Sequence, residues 1–186
     1  MKVTCSEIRI YKNSYEEWKS IFVEGAKLSG RYISFGRAAH CAVYAALKGE
    51  PLREAIEKVE VESGIIFTQS ERERVRLLLR NAKNIGIAKT EIFVRNEGFS
   101  LIGRVDGVAE NGMPVEFKFG KVTPGDCYQA AAYALCLKVP EALTVYPYGV
   151  VKTALCDKYD ELIGLIEEIK AEKKKLMGEK YAPSCL

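Results

Sequence analysis

The sequence predicts a mixed α/β domain in which helices come first and a small sheet follows. Three observations carry that reading. Apolar residues recur with helical spacing up to about residue 86, and the pattern then switches to the alternation of half-buried strands. An Asn111-Gly112 pair between two apolar stretches marks a hairpin inside the strand region. The resulting order is helices, three strands, a helix, a strand and a closing helix, which describes helices packed against one sheet.

The first helix is expected to open at Ser14, with Glu17 three residues on as its capping partner, and to run to about Lys27. The stretch "SGRY" breaks it. The Ala-rich "GRAAHCAVYAALKG" forms a second helix ending at Gly49, and Pro51 suits the first position of a third, "PLREAIEKVEV". "TQSERERVRLLLRNAK" is a fourth, with Ser70 and Glu73 as its capping pair. The strands begin after "NIGIAK": first "TEIFVRN", then "SLIGRVDGVAE" beyond a turn at "EGF", then "MPVEFKFG" beyond the hairpin. "PGDCYQAAAYALCLK" returns to helix. "ALTVYPYGVVKT" is one further strand, weakened locally by Pro147, and "DKYDELIGLIEEIKAEKKKLM" closes the chain as a long amphipathic helix. The expected organisation is one domain over 1–186, with a helical part to about 86, a core over about 87–155 and a C-terminal helix over about 157–177.

A chain of 186 residues with 48% hydrophobic and 28% charged residues is long enough for one sizeable core. No apolar run reaches the length a membrane span needs, and "MKVTCSEIRIYKN" has no apolar leader segment, so the expected location is cytoplasmic with no membrane partner. The net charge of +3 permits nucleic-acid binding without arguing for it. Basic runs such as "ERERVRLLLRNAK" read as solvated helix faces. The six cysteines, Cys5, Cys41, Cys127, Cys136, Cys156 and Cys185, contain no CxxC pair of the kind zinc sites use, and are expected to pack as reduced thiols.

The stretch "GRVDGVAENGMPVEFKFGK" sets Asp106 in one strand of the hairpin and Glu116 and Lys118 in the other. Counting out from the turn makes Asp106 and Glu116 near neighbours, and two like charges that close repel unless one is protonated or a cation lies between them. Hard oxygen ligands suit Mg²⁺ or Mn²⁺. Glu116 and Lys118, two apart in a strand, share a face, while Phe117 and Phe119 point the other way into packing. The three charges are either a structural ion cluster or a site for phosphodiester chemistry, and spacing alone leaves both open. Gln129 and Tyr133 share one face of the Ala-rich helix that follows, where they either hydrogen-bond a phosphate or base or form a polar rim of the core. The lone histidine, His40, sits in an apolar helix as either a ligand or a satisfied structural group.

Taken in order, these pieces resemble the PD-(D/E)XK nuclease superfamily and, within it, the RecB-like nucleases and their CRISPR-associated exonuclease group. "GRAAH" is similar to a Gly-rich segment ending in a metal-binding histidine, "GRVDGV" to the Gly-x-(Ile/Val)-Asp element, "VEFKFGK" to the (Asp/Glu)-x-Lys element and "YQAAAYALCL" to the Gln-x-x-x-Tyr helix. The resemblance covers about residues 36–137. It implies a restriction-endonuclease-like core, αβββαβ, with extra N-terminal helices. It also implies one or two Mg²⁺ or Mn²⁺ ions held by His40, Asp106, Glu116 and the Phe117 carbonyl. Lys118 would be the catalytic lysine, Gln129 and Tyr133 would steady the DNA, and Glu91 would be an accessory acid. The implied activity is hydrolysis of DNA at ends or in single strands, by a homo-oligomer or within a DNA-processing complex; the alternative is a non-catalytic nucleic-acid-binding or structural subunit with a vestigial site. Many CRISPR-associated relatives hold an iron–sulfur cluster on four cysteines, one upstream of the histidine and three clustered late in the chain. Here Cys5 and Cys185 have no clustered companions, so no such cluster is expected.

Overall fold

The computed structural model describes residues 1–27 and 29–180. Among them are a two-residue strand β1 (Val3–Thr4), helices α1 (Cys5–Asn13), α2 (Tyr15–Phe22), α3 (Arg31–Leu47), α4 (Leu52–Ser63) and α5 (Gln69–Ile85), and strands β2 (Ile87–Asn96), β3 (Leu101–Ala109) and β4 (Pro114–Phe117). Helix α6 (Pro124–Leu137), strands β5 (Glu141–Tyr146) and β6 (Gly149–Ala154) and helix α7 (Tyr159–Lys180) complete an α/β fold of one mixed sheet flanked by seven helices. No helix among the described residues is long and apolar enough to cross a membrane.

Local chemistry explains where the boundaries differ from expectation. The first expected helix is two. Thr4 and Glu7 form a capping box that starts α1, and the Ser14 hydroxyl, accepting from the Glu17 backbone N–H, starts α2. α3 begins at Arg31, inside the expected break, because Gly30 adopts φ 110° and turns the chain into it. Pro51 stands one position outside α4 as its N-cap. α5 is capped by Thr68 and Glu71, which exchange both hydrogen bonds, rather than by Ser70 and Glu73. The expected strand around Pro147 is a hairpin: Tyr146 pairs with Gly149 across a Pro147-Tyr148 turn, and the Asn81 amide donates to the carbonyls of Tyr146 and Pro147.

Strand β3 is the axis of the sheet. β2 runs antiparallel along it, β1 pairs in parallel with Leu101 and Ile102, and β4 pairs antiparallel with Gly107 and Val108. A strand has two edges and β2 occupies one of them throughout, so β1 and β4 share the other at opposite ends. The edge of β3 from Gly103 to Asp106 is left open between them. Beyond β4, β5 pairs in parallel and β6 antiparallel, leaving β6 at the rim.

The two faces of the sheet carry separate cores. α3, α4 and α5 pack on Ala109, Val115, Phe117, Phe119, Leu143 and Val145. α1, α2, α6 and α7 pack on Val94, Leu101 and Val105, around the fully buried Trp18. Small residues let α6 sit close to its neighbours: Ala130, Ala131, Ala132 and Ala134 are all buried. Where α6 meets α1, a Cβ on Gly125 would stand 2.3 Å from the Arg9 carbonyl oxygen. Gly125→Ala is therefore expected to destabilise the fold by about 1–3 kcal/mol through overpacking, although alanine is the better helix former. Denaturant unfolding reads this directly, and an unchanged or raised midpoint would refute the close α1–α6 contact.

Candidate active site

The hairpin turn decides which side chains meet. Gly112 N–H bonds to the Ala109 carbonyl at 2.8 Å, Ala109 pairs with Met113, and Gly112 takes φ 84°. This is a three-residue loop with glycine in the left-handed position. The register it sets, Gly107 opposite Val115, places Asp106 opposite Glu116. A two-residue loop on Asn111-Gly112 would have set Phe117 there instead, since a one-residue slip moves every side chain to the other face.

Asp106 lies where β3 and β4 part. Its Oδ2 accepts the Phe117 N–H at 2.7 Å, in place of a ladder bond. Its Oδ1 accepts the Tyr44 hydroxyl at 2.5 Å and lies 3.3 Å from His40 Nδ1. His40 and Tyr44 are one turn apart on α3, so one helix face delivers both. Burial works against the Asp106 charge, but His40 and the hydrogen bonds from Tyr44 and Phe117 outweigh it and hold the carboxyl below its usual range. Burial likewise opposes charge on His40, yet Asp106 raises that imidazole's pKa. Burial and the Asp106 charge together push the Tyr44 phenol up.

Glu116 and Lys118 face α6, while Phe117 and Phe119 pack in the α3-side core. Lys118 Nζ donates to Glu116 Oε1 and to Gln129 Oε1, both at 2.8 Å. Gln129 Nε2 donates to the Tyr133 hydroxyl at 3.1 Å, and that hydroxyl donates to the Arg104 carbonyl at 3.0 Å. The chain of donors is self-consistent. The open edge of β3 leaves the Arg104 carbonyl to Tyr133, which must then accept from the Gln129 amide, and this turns the Gln129 carbonyl oxygen toward Lys118. Gln129 and Tyr133 are both 2% exposed, and the network orders them, with the Gln129 carbonyl oxygen bonded to the lysine's amine. Their polar atoms bond within the fold, as buried polar groups do, and both side chains also line the cleft expected to take DNA.

A cleft of about 730 Å³ opens over these groups. His40, Tyr44, Asp106 and Glu116 line it, and Arg9, Arg37 and Arg104 bring positive charge to it. Glu91 borders it too, in an unusual state: its φ is +55° within a strand, where a left-handed L-residue costs on the order of 1–2 kcal/mol, and Arg104 lies 3.5 Å from its carboxylate. Glu91 stands opposite Asp106, between the Thr90–Gly107 and Ile92–Val105 pairs. Tyr44 and the arginines were missed from sequence. Tyr44 had a signal in its spacing of four from His40; the arginines had none, because three separate elements converge to supply them.

No protein-family model and no curated protein matches this chain. Among solved structures, that of SSO0001 aligns over 97% of this chain and 96% of its own at 16% identity, with a TM-score of 0.36, a likeness too slight to carry an argument. The site therefore rests on its own chemistry.

That chemistry fits a divalent cation in one respect above all. Glu116 is 6% exposed and its Oε2 has no hydrogen-bond partner. Burial first, and then the charge of Asp106, lift its pKa to about 7 despite the lysine beside it. A buried acceptor left without a partner, close to a second carboxylate, is satisfied either by a proton or by a cation placed between them. The Phe117 carbonyl belongs to the same side, since a strand residue's N–H and C=O face one neighbour and the Phe117 N–H faces Asp106. Among the described residues no three His, Cys, Asp or Glu side chains yet converge into a finished shell. The Tyr44 hydroxyl lies 3.3 Å from His40 Nδ1 as well as against Asp106, and Lys118 takes one oxygen of Glu116. Of the cysteines, Cys5 and Cys136 are buried, Cys41 and Cys156 are exposed and Cys127 is between; Cys185 lies outside the described residues.

Proposed function

We propose that this protein is a metal-dependent deoxyribonuclease with a restriction-endonuclease-like core, acting on DNA ends or single strands. The observation that carries the reading is the unpartnered oxygen of Glu116, buried beside Asp106 at the base of a cleft to which three arginines contribute. The order of α3, the β2–β3–β4 meander, α6 and β5 supports the core assignment. His40, Asp106, Glu116 and the Phe117 carbonyl would hold Mg²⁺ or Mn²⁺, whose chemistry there is to polarise a phosphoryl oxygen and acidify water.

The chain's own groups do the remainder. Arg9, Arg37 and Arg104 draw the phosphate backbone into the cleft. Lys118, fixed between Glu116 and Gln129, directs the attacking water and stabilises charge developing on the phosphoryl group. His40, Tyr44 and the Phe117 N–H keep Asp106 ionised. Water attacks phosphorus and gives up a proton to solvent, the bond to the departing deoxyribose oxygen breaks, and that oxygen takes up a proton from solvent.

The test uses labelled single- and double-stranded DNA with Mn²⁺. Wild type is expected to cleave, chelation to stop it, and Asp106→Asn to cleave at least about 100-fold more slowly. Equal cleavage by wild type and Asp106→Asn would mean a contaminant and sink the assignment.

A further inference from the structure

A second cleft, of about 860 Å³, lies beyond the first turns of α3. α3 and the segment after Lys118 form the partition. His40 packs its ring 5.3 Å from that of Phe119 on one side, and Phe119 lines the second cleft on the other. Tyr32 closes the partition, with its hydroxyl so near Gly120 that a Cβ there would stand 2.0 Å away. Tyr32 and His40 are two turns apart on α3, roughly 12 Å at 1.5 Å per residue.

The lining has a distinct character. Its charged residues are Arg74 and Lys121, with no carboxylate among the described lining residues. Arg74 is held in place: its guanidinium stacks 5.7 Å from the Phe35 ring and donates to the Phe119 carbonyl at 3.5 Å. Lys121 is exposed and forms no ion pair among the described residues. Three tyrosines complete the surface. Tyr32 is 62% exposed, and Tyr148, at the tip of the β5–β6 turn that Asn81 braces, is 81% exposed. Aromatic faces left open to water beside an ordered arginine and an exposed lysine call for a ligand that is both anionic and flat. An apolar ligand leaves the cations without a role. A DNA duplex hides its base faces, and an acidic peptide matches the charges but not the rings. Single-stranded nucleic acid offers phosphates and open π-faces at once.

We propose that this second cleft binds single-stranded nucleic acid, with bases stacked on Tyr148 and Tyr32 and phosphates against Arg74 and Lys121. The inference deepens the nuclease reading and rests on it for the passage of the strand across the partition to the catalytic cleft. It gives that site a reason to prefer single strands, because a strand must present unpaired bases to be held.

The experiment is a fluorescence-anisotropy titration of labelled oligothymidylate in a chelating buffer, so that no cleavage is needed. Tyr148→Ala is expected to weaken binding roughly 5- to 100-fold, with Tyr148→Phe restoring it. Lys121→Ala is expected to flatten the salt dependence of log K by about 0.7. Both positions are exposed, and a melting curve checks that each variant is folded. Unchanged affinity in Tyr148→Ala would overturn the proposal. So would duplex binding with the same Tyr148 dependence, or displacement by polyglutamate as effective as by unlabelled oligonucleotide. Tyr148-dependent binding in a protein that never cleaves DNA would support this cleft and overturn the nuclease reading alone.

Discussion

Lys118→Ala is expected to slow Mn²⁺-supported DNA cleavage by about 10²–10³-fold while leaving the protein folded. The magnitude is that of removing one preorganised group that meets charge developing in the transition state. The lysine's amine is committed on two sides, at 2.8 Å from Glu116 and 2.8 Å from Gln129, so its position is fixed before any substrate arrives. Its loss should appear in kcat far more than in KM, since the arginines in the cleft carry the ground-state attraction. Gln129→Ala should cost less, about tenfold, and the two changes together should cost little more than Lys118→Ala alone. Groups that act through one another are not additive. A double variant whose losses multiply would show that Gln129 acts independently, and cleavage undiminished in Lys118→Ala would remove the lysine from the reaction.

The second large effect is one of stability. The Glu116 carboxyl, lifted from 4.5 to about 7 by burial and by Asp106, is a group whose folded-state pKa lies above its unfolded value. Protonation then favours the folded state. The stability it contributes is fully present below about pH 4.5 and is lost as pH rises through about 7. A shift of that size corresponds to on the order of 3 kcal/mol, undiminished by solvent because the side chain is buried. Without metal, wild type should therefore lose stability relative to Glu116→Gln between pH 5 and pH 8, and the variant should be the more stable protein at pH 8. Added Mn²⁺ should reverse the order, because a ligand that binds only the folded state stabilises it and the amide has given up the charge that holds the cation. Thermal melting in chelator and in Mn²⁺, at both pH values, measures all four states. A wild type that is the more stable protein in chelator at pH 8 would mean the carboxylate is already satisfied, which removes the main support for a metal site.

Much of the fold was legible because it depends on short-range rules. The switch from helical to alternating pattern near residue 87 marks the start of the sheet, and the period of two in "VEFKF" separates Glu116 and Lys118 from the phenylalanines that pack in the core. The elements misread were those in which several valid signals compete locally. Thr4-x-x-Glu7 caps α1 as well as Ser14 caps α2, and Thr68-x-x-Glu71 prevails over Ser70-x-x-Glu73 only because α5 starts two residues earlier. Pro147 was a weak point in one strand by sequence; in three dimensions it is the corner of a hairpin, held by an asparagine more than sixty residues away in the chain.

The sequence by itself determined the α/β order, the hairpin and the face shared by Glu116 and Lys118, since each follows from backbone periodicity and turn chemistry within a few residues. Only the tertiary structure decided that β1 and β4 divide one edge of β3. That division leaves the Asp106 carboxylate to serve the Phe117 N–H and the Arg104 carbonyl to bind Tyr133, and through it to orient Gln129. The reason is physical. Unpaired backbone groups must find partners, and which side chains are spent on them depends on where strands part, a relation between segments that no local pattern encodes.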